Sequence, residues 1–257
     1  SHLPENDMHR FLTFLLSAAL AAVCCSPALA QIVADSVADF PAAGADALPK
    51  QGTNGWTYGY HNVTLNGVYN GSNFIAFPDN MGPGTSATDF WTNSAWDWHA
   101  GNPPWTAINP TTGHPNGSNN GAEHWAIRRW SSDVSGAANV DFSISKGGGG
   151  GGTTARVYVN GVQQEAITIA PNGNKAWTFH LPSLQVGDAV DLALDPLGLN
   201  GSPDDGNDSS SFAMTVNHLA TNPTNLVADS IADFPAAGAD AAPKQRSNNG
   251  RYGYHSV

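Results

Sequence analysis

The chain has 257 residues, with 10 Lys plus Arg against 21 Asp plus Glu and a formal net charge of −11. No basic stripe runs through it, which excludes nucleic acid as a partner and makes an anionic membrane surface a poor one. Low overall charge, 28 Gly, 17 Pro and abundant Asn, Ser and Thr suggest a loop-rich extracellular β protein.

Residues 1–30 are set aside from fold reasoning. Met8 and Arg10 lead into the apolar run "FLTFLLSAALAAVCC" and then "SPALA". This is the pattern of a secretory signal peptide, with cleavage expected after Ala30. The run is shorter than the roughly 20 residues needed to cross a bilayer, so no membrane insertion is expected. The mature protein is expected outside the cell or in the periplasm. Cys24 and Cys25 both fall in this leader, and no cysteine follows. Disulfides, thiolate catalysis and cysteine zinc sites are therefore excluded after residue 30. A secreted domain without disulfides must be held by its core, and 31–225 is long enough to build one.

A repeat organises the rest. "VADSVADFPAAGADALPKQGTNGWTYGYHNV" at 33–63 returns as "VADSIADFPAAGADAAPKQRSNNGRYGYHSV" at 227–257, with eight differences at an offset of 194. Such an offset fits a tandem array of domains rather than a solenoid. The expected division is a leader over 1–30, one module over 31–225, and the truncated opening of a second repeat over 226–257. The first copy is expected to be integral to the fold and the second dispensable for it.

Between the copies the pattern is β. Residues 77–121 come first and break the rhythm: they are rich in Asn, Gly, Pro and Thr but carry Trp91, Trp96, Trp98 and Trp105, which argue for order. "HWAIRRWSS" and "ANVDFSISK" read as a strand pair joined at "DVSGA". A six-glycine run at 147–152 follows as a flexible loop; with no GK[ST] and no helix after it, it is not a phosphate cradle. "ARVYVNGVQQEAITI" alternates around Asn160-Gly161, the favoured two-residue hairpin turn. "KAWTFHLPSLQVGDAVDLALDP" adds two strands around a turn, and "SSFAMTVNHL" reads as the last strand. Periodicity near 3.6 is absent after the leader, so an all-β sandwich is expected.

The ordered set "DFP…KQGTNGWTYGY" (39–60), "GHP" (113–115), "AIRRW" (126–130), "VYVNG" (157–161), "LQVGDAVDLALDP" (184–196) and "DDGNDSSSF" (204–212) resembles a family. It is similar to secreted bacterial β-sandwich modules of jelly-roll, galactose-binding-like type that act as carbohydrate-binding domains, often in tandem. The resemblance covers essentially 33–217. It implies a two-sheet antiparallel jelly-roll sandwich and secretion more directly than an activity, because sandwiches host many functions. Two features depart from the pattern. The glycine run replaces the usual turn acids before "VYVNG", and the second copy has Gly250-Arg251 where the first has Trp56-Thr57.

Glycan recognition needs flat apolar faces for sugar C–H groups with polar groups at the rim. The ligand-binding candidates are Tyr58, Tyr60, Trp96, Trp98, His99, Trp105, His114 and Arg128, while Trp56 and Trp130 read as core. The expected partner is a polysaccharide or a cell-surface glycan. Adjacent Arg128 and Arg129 should point to opposite faces of a strand. The turn "SPDDGNDSS" offers Asp204, Asp205, Asn207 and Asp208 as hard oxygen ligands for a structural calcium, although no cofactor is required. His99, His114 and His124 lack zinc-site spacing. An enzyme reading lacks parts: only Glu123 and Glu165 follow the leader, and no GxSxG elbow exists. A polysaccharide lyase could draw on His114, His124, Tyr60 and Arg128. A third reading is a surface-array protein that self-associates through its C-terminal repeat by strand addition.

Overall fold

The computed structural model describes residues 30–79, 90–98 and 102–219. The chain divides into two units, 1–220 and 221–257. All described residues belong to the first. The leader and the second repeat copy lie outside the described residues.

The strands follow from alternation of apolar and polar residues. In chain order they begin with β1 (Gln31–Asp35), β2 (Trp56–Asn62), β3 (Ile75–Ala76), β4 (Trp96–Asp97), β5 (Ala107–Ile108) and β6 (Thr112–His114). β7 (His124–Ser131), β8 (Gly136–Lys146), β9 (Thr153–Val159), β10 (Val162–Ile169), β11 (Asn174–Leu184), β12 (Ala189–Asp195) and β13 (Ser210–Leu219) complete the set. One short helix, α1 (Val63–Asn66), follows β2, its first turn capped by Asn62 Oδ1 accepting from Leu65 N at 2.8 Å.

The strands form two sheets. One runs β11-β8-β13-β6-β5-β4, with β1 also paired to β13; the other runs β10-β9-β12-β7-β2-β3. Every strand pair is antiparallel. From β7 onward the chain passes between the sheets at nearly every connection: β7 to β8, β8 to β9, β10 to β11, β11 to β12 and β12 to β13. This winding makes the molecule a jelly-roll β-sandwich. It also corrects one expectation. β7 and β8, read as a strand pair, do not pair with each other; their connection, like that from β11 to β12, is a crossing between sheets.

The core lies between the sheets. Ala138, Val140, Phe142 and Ile144 of β8 and Phe212, Met214 and Val216 of β13 face Val157, Val190, Leu192 and Leu194 of the opposite sheet, all buried. β7 and β12 are buried on both faces. Their outer faces hold a second, smaller cluster of Tyr69, Trp125, Ile127, Tyr158 and Ala193. The β9–β10 turn has Asn160 at φ 50° and Gly161 at φ 76°, the two positive values that a type I′ hairpin requires.

The opening motif is stitched into the first sheet. Ser36 N donates to Met214 O, and Met214 N donates to Ser36 Oγ, both at 2.9 Å. Asp39 then accepts from Asp35 N at 2.9 Å and from Trp56 Nε1 at 3.0 Å, linking β1 to β2. In the long segment, the described Trp91 and Trp96 are wholly buried, as their number suggested.

Candidate functional site

Most of the aromatic candidates form an internal layer. Trp56, Tyr58, Trp96 and Phe77 stack in sequence with ring centroids 6.5, 6.0 and 6.2 Å apart and interplanar angles of 21° or less. Tyr60 continues the layer against Phe77, Trp98 and His124. Tyr58 and Trp96 are 0 % exposed and Tyr60 9 %, so their rings are core and cannot lie flat against a ligand. The expectation that they line a site is corrected on that ground: their face of the sheet is turned inward. Burial pushes the Tyr58 and Tyr60 phenols above their ordinary range.

Arg128 is likewise interior. Its guanidinium carbon sits 4.4 Å from the Phe212 ring centroid and 5.7 Å from that of Phe40. Nη1 donates to Ser36 O, while Nη2 donates to the carbonyls of Asn109, Pro110 and Thr112 at 2.7, 3.2 and 3.4 Å. Arg128 is therefore a structural tie between the sheets and not a ligand contact. Burial lowers its pKa to about 10, which still leaves it charged at neutral pH. Arg129 points outward, as strand geometry demands, and pairs with Asp191. Of the lyase candidates only Tyr60 and His124 meet, as rings 4.9 Å apart in the core, and among the described residues no hydrogen bond joins a histidine to a tyrosine or an arginine.

Trp98, Trp105 and His114 remain closer to solvent, and His99 lies outside the described residues. Trp105 is 44 % exposed, the most open tryptophan among the described residues. Its backbone N donates to Asn116 Oδ1 at 2.8 Å, and its ring lies 6.4 Å from that of half-buried His114. His114 Nδ1 lies 2.6 Å from Pro115 O. A proton donated there leaves Nε2 as an acceptor on the neutral ring. Gly117 N donates to Asp205 Oδ2 at 2.9 Å and Ser118 N to Pro203 O at 3.0 Å. These contacts gather the loops around 102–106, 114–121 and 203–208 beside the start of β13. Exposed Asn119, Asp204 and Asn207 surround that end.

The acidic turn is spent internally. Asp205, 3 % exposed, accepts from Gly117 N and from the Asn119 and Asn120 side-chain amides at 2.7–2.9 Å. Asp204 Oδ1 accepts from Gly206 N. Asp208 is fully buried against Lys146 Nζ at 3.1 Å, and the same ammonium donates to Asn207 O. No group of three or more potential metal-ligating side chains occurs among the described residues. Of the four residues in the calcium reading, Lys146 thus meets Asp208 and the Asn207 carbonyl.

A concavity that the sequence did not suggest lies on the outer face of the second sheet. It has a volume of about 600 Å³ and is lined chiefly by Val68, Tyr69, Trp125, Arg156, Tyr158 and Gln163. Strand register assembles it. Asp191 on β12 lies opposite Arg129 on β7 and Tyr158 on β9, and Arg156 lies opposite Ala193. Tyr69 meets Tyr158 edge-on, with centroids 4.6 Å apart at 70°. Each ring's polar atom is held by the protein: Tyr69 Oη by Asp191, Trp125 Nε1 by Glu123 and Tyr158 Oη by Gln163. Arg156 lies 4.8 Å over Trp125 and pairs through Nε with Asp195 at 2.7 Å. Burial raises the pKa of Glu123 and of Asp195 and pushes that of Tyr158 up to about 12. The sequence signal for this cleft was the second register of β7, β9 and β12, in which Trp125, Tyr158 and Arg156 alternate with the core residues.

No family model and no curated protein matches the chain. Among solved structures, a family 35 carbohydrate binding module from an environmental isolate is 16 % identical, covering 38 % of this chain and 67 % of its own, with a TM-score of 0.25. One from Clostridium thermocellum is 15 % identical, covering 35 % and 69 %, also at 0.25. An exo-beta-1,3-galactanase from Phanerochaete chrysosporium is 14 % identical, covering 37 % of this chain but 21 % of its own, at 0.24. Likeness at these scores carries no weight for function, and the sandwich stands on its own strand pairing.

Proposed function

We propose that the protein is a secreted, non-catalytic module that binds a polysaccharide or cell-surface glycan at the loop end marked by Trp105 and His114. The observation that carries this reading is the exposure of Trp105 amid polar loop side chains, while most other tryptophans are packed inside. An open indole face suits the C–H side of a sugar ring. His114 Nε2 and the amide of Asn207 suit its hydroxyls. The test is retention on a glycan array by the full chain, with and without EDTA. Trp105→Ala should weaken binding about tenfold with circular dichroism unchanged. Equal binding by this variant, or no glycan retained at all, would overturn the reading. EDTA should have no effect, because Asp205 is held by amides and Asp208 by Lys146.

A second reading is self-association with another copy of the chain by strand exchange. It is favoured by one observation: the residues that seat the opening strand recur in the second repeat. Ala34, Ser36 and Phe40 are buried in the first sheet, and their counterparts are Ala228, Ser230 and Phe234. Asp35 and Asp39, which bond the turn, recur as Asp229 and Asp233. The repeat of one molecule therefore fits the edge of β13 in another, in place of β1. Light scattering should show concentration-dependent dimers that Phe234→Asp abolishes. A wild-type chain that stays monomeric at all concentrations rules this out.

A further inference from the structure

We infer that the cleft between Tyr69, Trp125 and Tyr158 is a second binding site, and that its ligand is a neutral aromatic ring bearing one hydrogen-bond acceptor. The walls are carbon. Because all three rings have their Oη or Nε1 satisfied by Asp191, Glu123 and Gln163, they offer a ligand only faces and edges. Val68 stands at the rim with 87 % of its surface exposed, an apolar lip left without packing. A sugar ring entering here would strip water from several hydroxyls and find few partners for them. This chemistry separates the cleft from the polar loop end around Trp105.

Charge narrows the ligand further. Arg156 uses Nε for Asp195 and Nη1 for Gln163, at 2.7 and 3.1 Å, and Nη2 has no hydrogen-bond partner among the described residues. That leaves three of its five N–H groups, two of them on Nη2, for an incoming acceptor. The arginine's charge is already balanced by Asp195, and Glu123 lies close enough to feel both. An anion would meet those two carboxylates, and a cation would meet the guanidinium. A neutral carbonyl or ether oxygen meets neither penalty. The volume of about 600 Å³ is ample for one or two fused rings. Edge-to-face contacts like that between Tyr69 and Tyr158 can extend to a guest ring.

The experiment is calorimetric and NMR titration of the full chain with acetophenone, with benzoate and methyl β-glucoside as comparisons. The expected dissociation constant for so small a ring is about 1 mM. Val68→Arg, at an exposed rim position that folding does not depend on, should weaken it at least about tenfold by filling the mouth. Arg156→Gln should weaken it several-fold, and Trp105→Ala should leave it unchanged. Saturation transfer should map to the Trp125 and Tyr158 ring protons. Absence of saturable binding, equal affinity in Val68→Arg, or tighter binding of the benzoate or the glucoside would each overturn the assignment. Loss of glycan binding in Trp105→Ala with the aromatic probe still bound would separate the two sites.

Discussion

Arg129 and Asp191 face each other across β7 and β12 and are joined twice, Nε to Oδ1 at 2.7 Å and Nη2 to Oδ2 at 2.9 Å. Asp191 is fully buried, and Tyr69 Oη donates to its Oδ2 at 2.6 Å while accepting from Arg129 Nη2. The pair thus fixes one wall of the outer cleft as well as the sheet. Asp191→Asn leaves the guanidinium without its countercharge in a half-buried setting, at an expected cost of about 3 kcal/mol. Urea unfolding should show that loss. Arg129→Met combined with Asp191→Leu should recover part of it, because no lone charge remains.

Arg128 makes a sharper prediction because its partners are all carbonyls. Replacing it with Met keeps much of the apolar stem but removes the guanidinium donor from the carbonyl oxygens of Ser36, Asn109 and Pro110, while Thr112 O keeps its bond from Asn109 N. Losing one buried and several part-buried contacts, and the cation–π contact with Phe212, should cost about 3 kcal/mol. Arg128→Lys should recover little, since one ammonium cannot span acceptors on separate segments as a planar fork does. Thermal denaturation of both variants checks this: their midpoints should fall by similar amounts.

Local patterns in the sequence were legible, and long-range partnerships were not. Asn160-Gly161 announced its hairpin because the turn's positive φ values are a property of two adjacent residues. Arg128 and Arg129 diverged as any adjacent strand pair must. The connection between β7 and β8 looked like a hairpin because a short polar loop serves equally to reverse a strand or to cross a sandwich. Its true role depends on Trp130 pairing with Trp56 and Val190, which are remote in sequence. The same limit applies to the tryptophans. Trp96 and Trp105 sit in one loop-like segment with similar neighbours, yet one is core and the other open. The cleft needed Tyr69, Trp125 and Tyr158 to meet, and only sheet register brings them together.

His124 and Asp208 should give stability two opposite pH dependences. Burial, helped by His61, lowers the His124 pKa from 6.5 to about 4, so the folded state resists its protonation. That contribution is complete above 6.5 and is lost as pH falls through 4. Burial raises Asp208 from 3.8 to about 6, although Lys146 opposes the shift. The folded state therefore holds that proton longer, and the contribution is full below 3.8 and lost as pH rises through 6. His124→Phe should remove the acid-side loss and leave stability falling with rising pH across this window. It should also cost about 1 kcal/mol at neutral pH, because Thr106 Oγ1 loses its partner. Asp208→Asn should leave only the opposite slope. Urea titrations across the window decide both, and parallel profiles in the two variants would refute the assignments.

Gly161 couples the β9–β10 hairpin to the cleft. It lies at φ 76°, and a Cβ there would strike the carbonyl oxygen of Asn70. Asn70 and Gly71 belong to the loop that carries Val68 and Tyr69, and Gly71 O accepts from Arg129 Nη2 at 3.0 Å. Gly161→Ala therefore cannot be absorbed by a side-chain shift; either the turn or the 68–73 backbone must move. Gly187 provides the comparison, since its φ is 91° but nothing lies within 4 Å of the added carbon. Gly187→Ala should cost about 1 kcal/mol through backbone conformation alone. Gly161→Ala should cost about 2 kcal/mol or more and also weaken the aromatic probe in the outer cleft. Glycan retention at Trp105 should be the same in both variants at temperatures where both are folded. If Gly161→Ala lowers stability without touching probe affinity, the 68–73 loop does not shape the cleft, and Asp191 and Arg129 hold Tyr69 without it.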